Sequence, residues 1–269
     1  MEYTSQGRNS RTLIIFWTFA VILFVYMPVI CDALSSISKG RYFMFPVRNW
    51  GLDWWFKTIN SMEIRSLLGN SLLIAFVVTL ISTSVAFFGA LAFARYSWNG
   101  KKLFQKIILL PVFFPQPVLG LALLLWFNAI GINLSWYTAV FAHLVWITPV
   151  VTLVIAIQVY GFDPTLEEAA KDLGATPFQI FRDITLPLLW PGIWSGMLFA
   201  FLLSWGNFPL SLYTTGVDNT VPKWLYSKMV AGYTPMVPTL GTMSTIGAAV
   251  MMVFVVLILK LIQRRQGRI

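Results

Sequence analysis

The stretch DPTLEEAAKDLGATPFQIFRDITLPLL, Asp163 to Leu189, interrupts a chain built mostly of long apolar runs. It carries five of the ten acidic residues, so it meets water or a polar partner rather than lipid. Directly before it lies the apolar run Tyr137–Val159, and directly after it Trp190–Leu212. Each is close to the ~20 residues that a helix needs to cross a hydrocarbon core. The acidic stretch therefore reads as a connection between two membrane spans.

Working outward, four more runs have the same length and character: Thr12–Ile30, Asn70–Ala94, Ile107–Phe127 and Leu240–Ile262. None of the six contains Asp or Glu. The chain has 269 residues, 58% of them hydrophobic and 11% charged, with a mean hydropathy of +0.75. So little charge cannot cover a water-facing surface, where about a quarter of residues is usual. Lipid must be a partner over most of the surface, and helices are the form that satisfies every backbone group there. The expectation is an all-α integral membrane protein of six transmembrane helices, with residues 1–269 forming a single transmembrane domain. Thr12–Ile30 is longer than the apolar core of a secretory leader and no small-x-small cleavage site follows it, so it reads as a retained first span. The single cysteine, Cys31, excludes an intrachain disulfide framework.

The net charge of +9 does not form one patch, which argues against a nucleic-acid partner. The basic residues fall in the gaps between runs. With the N-terminus inside, Arg8, Arg11, Arg95, Lys101, Lys102, Lys106, Lys171, Arg182, Lys260, Arg264, Arg265 and Arg268 share one side. Lys39, Arg41, Arg48, Lys57, Arg65, Lys223 and Lys228 take the other, so 12 face 7. Cytoplasmic loops carry the excess of Lys and Arg, which places both termini in the cytoplasm. The first outer loop, Asp32–Gly69, brings Trp50, Trp54, Trp55 and Phe56 together as an interfacial segment. Pro111, Pro115 and Pro117 predict a kink or a break in the third run, with Gln116 beside it.

Within Asp163–Leu189 the pattern predicts two short helices. Thr165 and Glu168 have the spacing of a capping box. Leu166, Ala169, Ala170 and Leu173 form one apolar face, while Glu167, Glu168, Lys171 and Asp172 form the other. Gly174 supplies the stop, Thr176 and Pro177 the second start. Phe178, Phe181 and Ile184 give the second helix an apolar edge before Leu186-Pro187. An acidic helix is repelled by anionic lipid, so a protein partner suits it better than the membrane surface.

Glu168-Ala169-Ala170, then Gly174, then Ile184-x-Leu186-Pro187, resembles the EAA loop of permease subunits in binding-protein-dependent ABC importers. The resemblance implies a type I ABC importer permease fold and a role for residues 161–189 as the coupling segment. Glu168, Ala169, Ala170, Asp172, Gly174 and Pro187 would then serve ATPase coupling. It further implies two ATP-binding cassette subunits that hold ATP and Mg, a second, related permease, and an extracytoplasmic binding protein, in a bacterial inner membrane. No cofactor is expected on this chain, which has no G-x-x-x-x-G-K-[ST] loop and none of the common hydrolase signatures, and is not expected to be an enzyme.

Wider similarity to spermidine/putrescine permeases runs through Asn70-Ser71-Leu72, Ala92-x-x-Arg95-Tyr96, Gly161-Phe162-Asp163 and Ser204 to Gly216. It implies a polyamine or a related amine or amino-acid-like cargo. Those permeases place acids after the Ser of span five, where Gly206 and Asn207 stand here. Gln116, Ser204, Trp205, Asn207 and Phe208 are the candidate pathway residues, and His143 is either a satisfied buried imidazole or a proton relay. The competing reading is an ion-gradient-driven transporter or channel, which would call for carboxylates at midplane.

Overall fold

A computed structural model describes residues 3–42, 44, 46–47 and 49–265; Arg48 and Arg268, counted above for orientation, lie outside the described residues. The described residues are helical almost throughout. In chain order the helices are α1 (Tyr3–Ser36), α2 (Asp53–Asn60), α3 (Met62–Ala90), α4 (Lys101–Ile107), α5 (Leu110–Phe113), α6 (Gln116–Ala129) and α7 (Trp136–Tyr160). They continue with α8 (Thr165–Asp172), α9 (Pro177–Ile180), α10 (Leu186–Trp205), α11 (Phe208–Thr214), α12 (Val221–Ala231) and α13 (Met236–Arg265). Two wide π turns, Leu91–Arg95 and Phe181–Thr185, extend α3 and join α9 to α10.

Five stretches are long and apolar enough to cross a membrane: Ser10–Ser36, Met62–Arg95, Trp136–Tyr160, Pro177–Trp205 and Met236–Ile258. The pair Lys101–Phe113 and Gln116–Ala129 makes a sixth when taken as one span, bent by 98°. The run Ile107–Phe127 is thus two helices at nearly a right angle rather than one kinked rod. Phe114 is extended, with ψ 134°, as the residue before a proline tends to be, and Pro115 follows with ψ 127°.

Three further details differ from the reading of the sequence. Trp190–Leu212 is not one helix: α10 ends at Trp205, Gly206 caps it, and Asn207 opens α11 by accepting a hydrogen bond from the Leu210 N–H at 3.1 Å. Hydropathy cannot see that stop because the flanking residues stay apolar. The helices also overrun the apolar runs, so Asp32, Glu63 and Asp183 fall inside helix. Thr165, finally, is not the cap of α8; it is the first helical residue, Pro164 holds the cap position, and the Asp163 carboxylate takes the Thr165 N–H.

The chain separates into two compact units, Met1–Ile64 with Ser227–Gly247, and Arg65–Tyr226 with Ala248–Ile269. In the first, Trp54, Trp55 and Phe56 lie on α2 while Trp50 pairs with Ser38 in an isolated bridge. Lys57 sits 4.3 Å over the Trp54 ring. Asp32 on α1 accepts a hydrogen bond from the Thr242 hydroxyl at 3.3 Å.

The core of the second unit lies among α3, α7 and α10, with Val78, Ala86, Ala90, Val151, Ile155, Leu189 and Ala200 buried. Lipid tails are as apolar as these side chains, so close packing rather than water exclusion holds the helices together. Small residues permit it. A Cβ on Gly196 of α10 would stand 2.9 Å from Ile155 Cγ1 and 3.2 Å from Val151 Cγ1 of α7. One on Gly192 would stand 2.6 Å from Gln158 Cβ. Some hydroxyls inside the spans turn back on their own backbone, as Thr79 does to Ala75 O at 2.6 Å and Thr152 to Thr148 O at 2.8 Å, whereas Ser82 and Thr83 of α3 are buried without a partner among the described residues. Such a bond removes the cost of carrying a hydroxyl into lipid.

Candidate functional site: the connection between α7 and α10

Asp163 starts α8 by accepting from both the backbone N–H of Thr165, at 3.0 Å, and its hydroxyl, at 2.8 Å. These two bonds hold the Asp163 carboxyl below its ordinary range. A carboxylate depressed in the folded state contributes its stability above the unfolded pKa, and loses it as pH falls through the lower folded value. Protection of the Thr165 and Leu166 amides, taken relative to intrinsic exchange at each pH, should therefore hold at pH 6 and fall well below about pH 4. Asp163→Asn should flatten that acid response, and a wild-type segment insensitive to acid would refute this role of the carboxylate.

α8 ends as the sequence predicts. Gly174 has φ +84°, its N–H bonds Lys171 O at 2.9 Å, and the Ala175 N–H bonds Ala170 O at 3.0 Å. This closes the helix with two reversed bonds through a left-handed residue. α9 opens at the predicted Thr176 cap, which the structure extends to a reciprocal box: Thr176 N–H donates to Gln179 Oε1 at 2.8 Å, and Gln179 N–H donates to Thr176 Oγ1 at 3.4 Å. Pro177 follows at the first helical position.

The outward face of this turn is bare. Glu168, Ala169, Asp172 and Gly174 are exposed, Leu173 is 89% exposed and Phe178 68%. The apolar stripe of Leu166, Ala169, Ala170 and Leu173 is not tucked against the rest of the chain, since only Ala170 is half-buried. Pro187 stands apart from that face, half-buried in the first turn of α10.

The anchoring residue is one that the sequence did not single out. Glu167 precedes Glu168 by one position, about 100° around the helix, and points inward. One of its oxygens pairs with Arg95 Nη2 and the other accepts from the Thr185 hydroxyl. The Arg95 guanidinium also stacks 4.6 Å over the Phe162 ring. Ala92-x-x-Arg95-Tyr96 was visible as a motif, but its link to Glu167 spans 72 residues and no spacing announces it.

Four of the candidate pathway residues, Ser204, Trp205, Asn207 and Phe208, flank the break after α10, while Gln116 lies on another helix. Ser204 and Asn207 are buried, at 5% and 4% exposure. His143 on α7 engages Ser204 Oγ through Nδ1 at 2.9 Å and Ser211 Oγ through Nε2 at 3.1 Å, so it bridges the helices on both sides of Gly206. Both ring nitrogens are satisfied. The gap bounded by Ser71, His143, Ser204, Trp205 and Ser211 holds no water-sized space. Trp205 stacks on Phe201 at 6.0 Å, Phe208 meets Tyr226 at 4.7 Å, and Gln116 is the half-buried first residue of α6. Beyond the break, Asp218 caps α7, accepting from Ser135 Oγ at 2.8 Å and Trp136 N–H at 2.9 Å. Lys223 donates to Thr215 Oγ1 at 2.9 Å and Gly216 O at 2.6 Å. Burial pushes its ammonium pKa down while Asp218 pulls it up.

The chain is 31% identical over 225 residues to the spermidine/putrescine transport system permease protein PotC of Haemophilus influenzae, covering 83% of this chain and 87% of that one. It is 28% identical to the putrescine transport system permease protein PotI of Escherichia coli, covering 84% and 85%. Its fold matches a crystal structure of a bacterial ABC transporter involved in the import of the acidic polysaccharide alginate, with a TM-score of 0.70 at 16% identity over 97% of this chain and 98% of that one. The family profile described as binding-protein-dependent transport system inner membrane component matches residues 82–268, and with so much of the chain inside it, this protein belongs to that family.

Proposed function

We propose that this permease forms one half of a polyamine-importing channel and takes its drive through the outward face of α8. Membership of the family makes the chain the non-catalytic, multi-pass inner-membrane component of an ABC importer working with ATPase subunits and a periplasmic binding protein. The finer assembly is our reading: two ATPase subunits that bind ATP and Mg, a second, related permease completing the pair, and both termini in the cytoplasm. Glu168, Ala169, Ala170, Asp172 and Gly174 form the docking turn, and Pro187 starts the span that receives its motion. The observation that carries this reading is the contrast across α8, bare on one face and pinned through Glu167 on the other.

Polyamine cargo is supported by the similarity to PotC and PotI. The uncharged run Ser204–Phe208 favours a second reading, a neutral or anionic small solute entering past Gln116, Ser204, Trp205, Asn207 and Phe208. Reconstitution of the complete importer into vesicles decides between them. Spermidine presented with the binding protein should be accumulated only with ATP, and excess putrescine should compete. Unchanged ATP hydrolysis and no accumulation with spermidine would remove the polyamine reading and leave the docking reading intact.

A further inference from the structure

We infer that Glu167 is a positioning residue that carries the motion of α8 to the end of α3, a link the backbone itself does not supply. The inference rests on the docking reading above, and it concerns a residue outside the docking turn. Through the backbone α8 reaches α10 by way of α9 and the π turn Phe181–Thr185. It reaches the π turn Leu91–Arg95 only after retracing α7 and everything before it. The carboxylate of Glu167 shortens that route to one ion pair with Arg95, while its second oxygen holds Thr185.

The surroundings make this pair more than a surface contact. Arg95 and Glu167 are only 18% and 20% exposed, and Thr185 is 6% exposed. Arg95 cannot lose its charge, and its planar guanidinium is also held against Phe162. Phe87 of α3, one turn ahead of the first wide turn, meets Phe181 edge-on at 6.1 Å, so the carboxylate is the charged link between the two turns themselves. Wide turns of this kind often occur at functional positions in helices, where a helix can shift by a residue at small cost. A push on the bare face of α8 would thus reach both turns together. Both spans then respond as one body, which is what switching a pathway between its two openings requires.

The test is hydrogen exchange of the complete importer, with and without ATP plus vanadate, read at residues 91–95 and 181–185. In the wild type, nucleotide should change exchange in both segments, by about tenfold if one charged hydrogen-bonded contact is made or released. Glu167→Gln should abolish the change at 91–95 and retain it at 181–185, because the backbone route to α10 survives. Arg95→Gln should reproduce this result from the other side, and the double variant should be no worse than either single one. Should Glu167→Gln fail to assemble, the Arg95→Gln importer decides. ATPase co-isolation is measured in parallel. If the ATPase is lost together with both exchange changes, Glu167 docks rather than transmits. A nucleotide response at 91–95 that persists without the pair, or that is absent from the wild type, overturns the inference. Loss of ATPase association in a Gly174 variant speaks to the docking reading separately.

Discussion

Gly174→Asp will leave the permease folded and inserted but separate it from its ATPase. Gly174 has φ +84°, and Asp is among the few residues that tolerate the left-handed region. A Cβ there meets nothing within 4 Å, so no atom of this chain is displaced. What changes is the exposed turn after α8, which gains bulk and a negative charge where the docking reading brings another backbone close. A substitution that ruins the centre of an interface costs about 2–4 kcal/mol, or roughly a thirtyfold to thousandfold loss of affinity. Co-purification of the ATPase with the tagged permease should fall accordingly, and ATP-driven uptake with it, while the permease keeps its thermal melting point. Retained ATPase and normal uptake would show that this turn is not where the engine attaches. Gly174→Ala separates strain from docking, since it adds a small uncharged group at about 1–2 kcal/mol of backbone cost.

Gly196→Leu should have the opposite character, with the fold lost before any partner is consulted. Its Cβ alone would enter the van der Waals shells of Ile155 and Val151, and three further carbons would have to go between α7 and α10. Overpacking a tight contact typically costs about 1–3 kcal/mol, and here the helices have no water-driven force to hold them while they readjust. We expect the yield of monodisperse protein to fall severalfold and its melting point to drop by several degrees, about 3 kcal/mol in all. Gly69→Ala is the control, because a Cβ at Gly69 has no neighbour within 4 Å. Equal melting points for Gly196→Leu and the control would mean that α7 and α10 do not pack as described.

The spans were legible because a hydrocarbon core demands length and apolarity, and both are written residue by residue. So was the Thr176-Pro177 start, since a cap is a local event decided within four residues. What stayed hidden depended on partners distant in sequence. Thr165 does not cap α8 because Asp163, two positions earlier, takes both its N–H and its hydroxyl, a competition that spacing alone does not rank. The stop at Trp205 was missed because Gly206 and Asn207 are too few to dent a hydropathy window. Glu167 was read as one of several charges on a polar face, and only the fold reveals that its partners are Arg95 and Thr185. Ser204 and Asn207 were singled out near Gly206, but nothing in their order says that His143 ties Ser204 to Ser211, a residue not singled out, across the break.

The right-angle break between α5 and α6 carries a consequence for the life of the subunit. At 1.5 Å per residue the arms Lys101–Phe113 and Gln116–Ala129 are each about 20 Å long, short of the ~30 Å hydrocarbon core. Phe113 and Phe114 are exposed at the corner, where the last carbonyls of α5 have run out of helix. Lipid offers such groups no donor, and each one left unsatisfied costs several kcal/mol. The elbow is therefore a surface that only another protein or a water-filled passage can shelter. A copy of the subunit without its proposed companions would hold Phe113 and Phe114 open at this corner with nothing to shelter the backbone beside them.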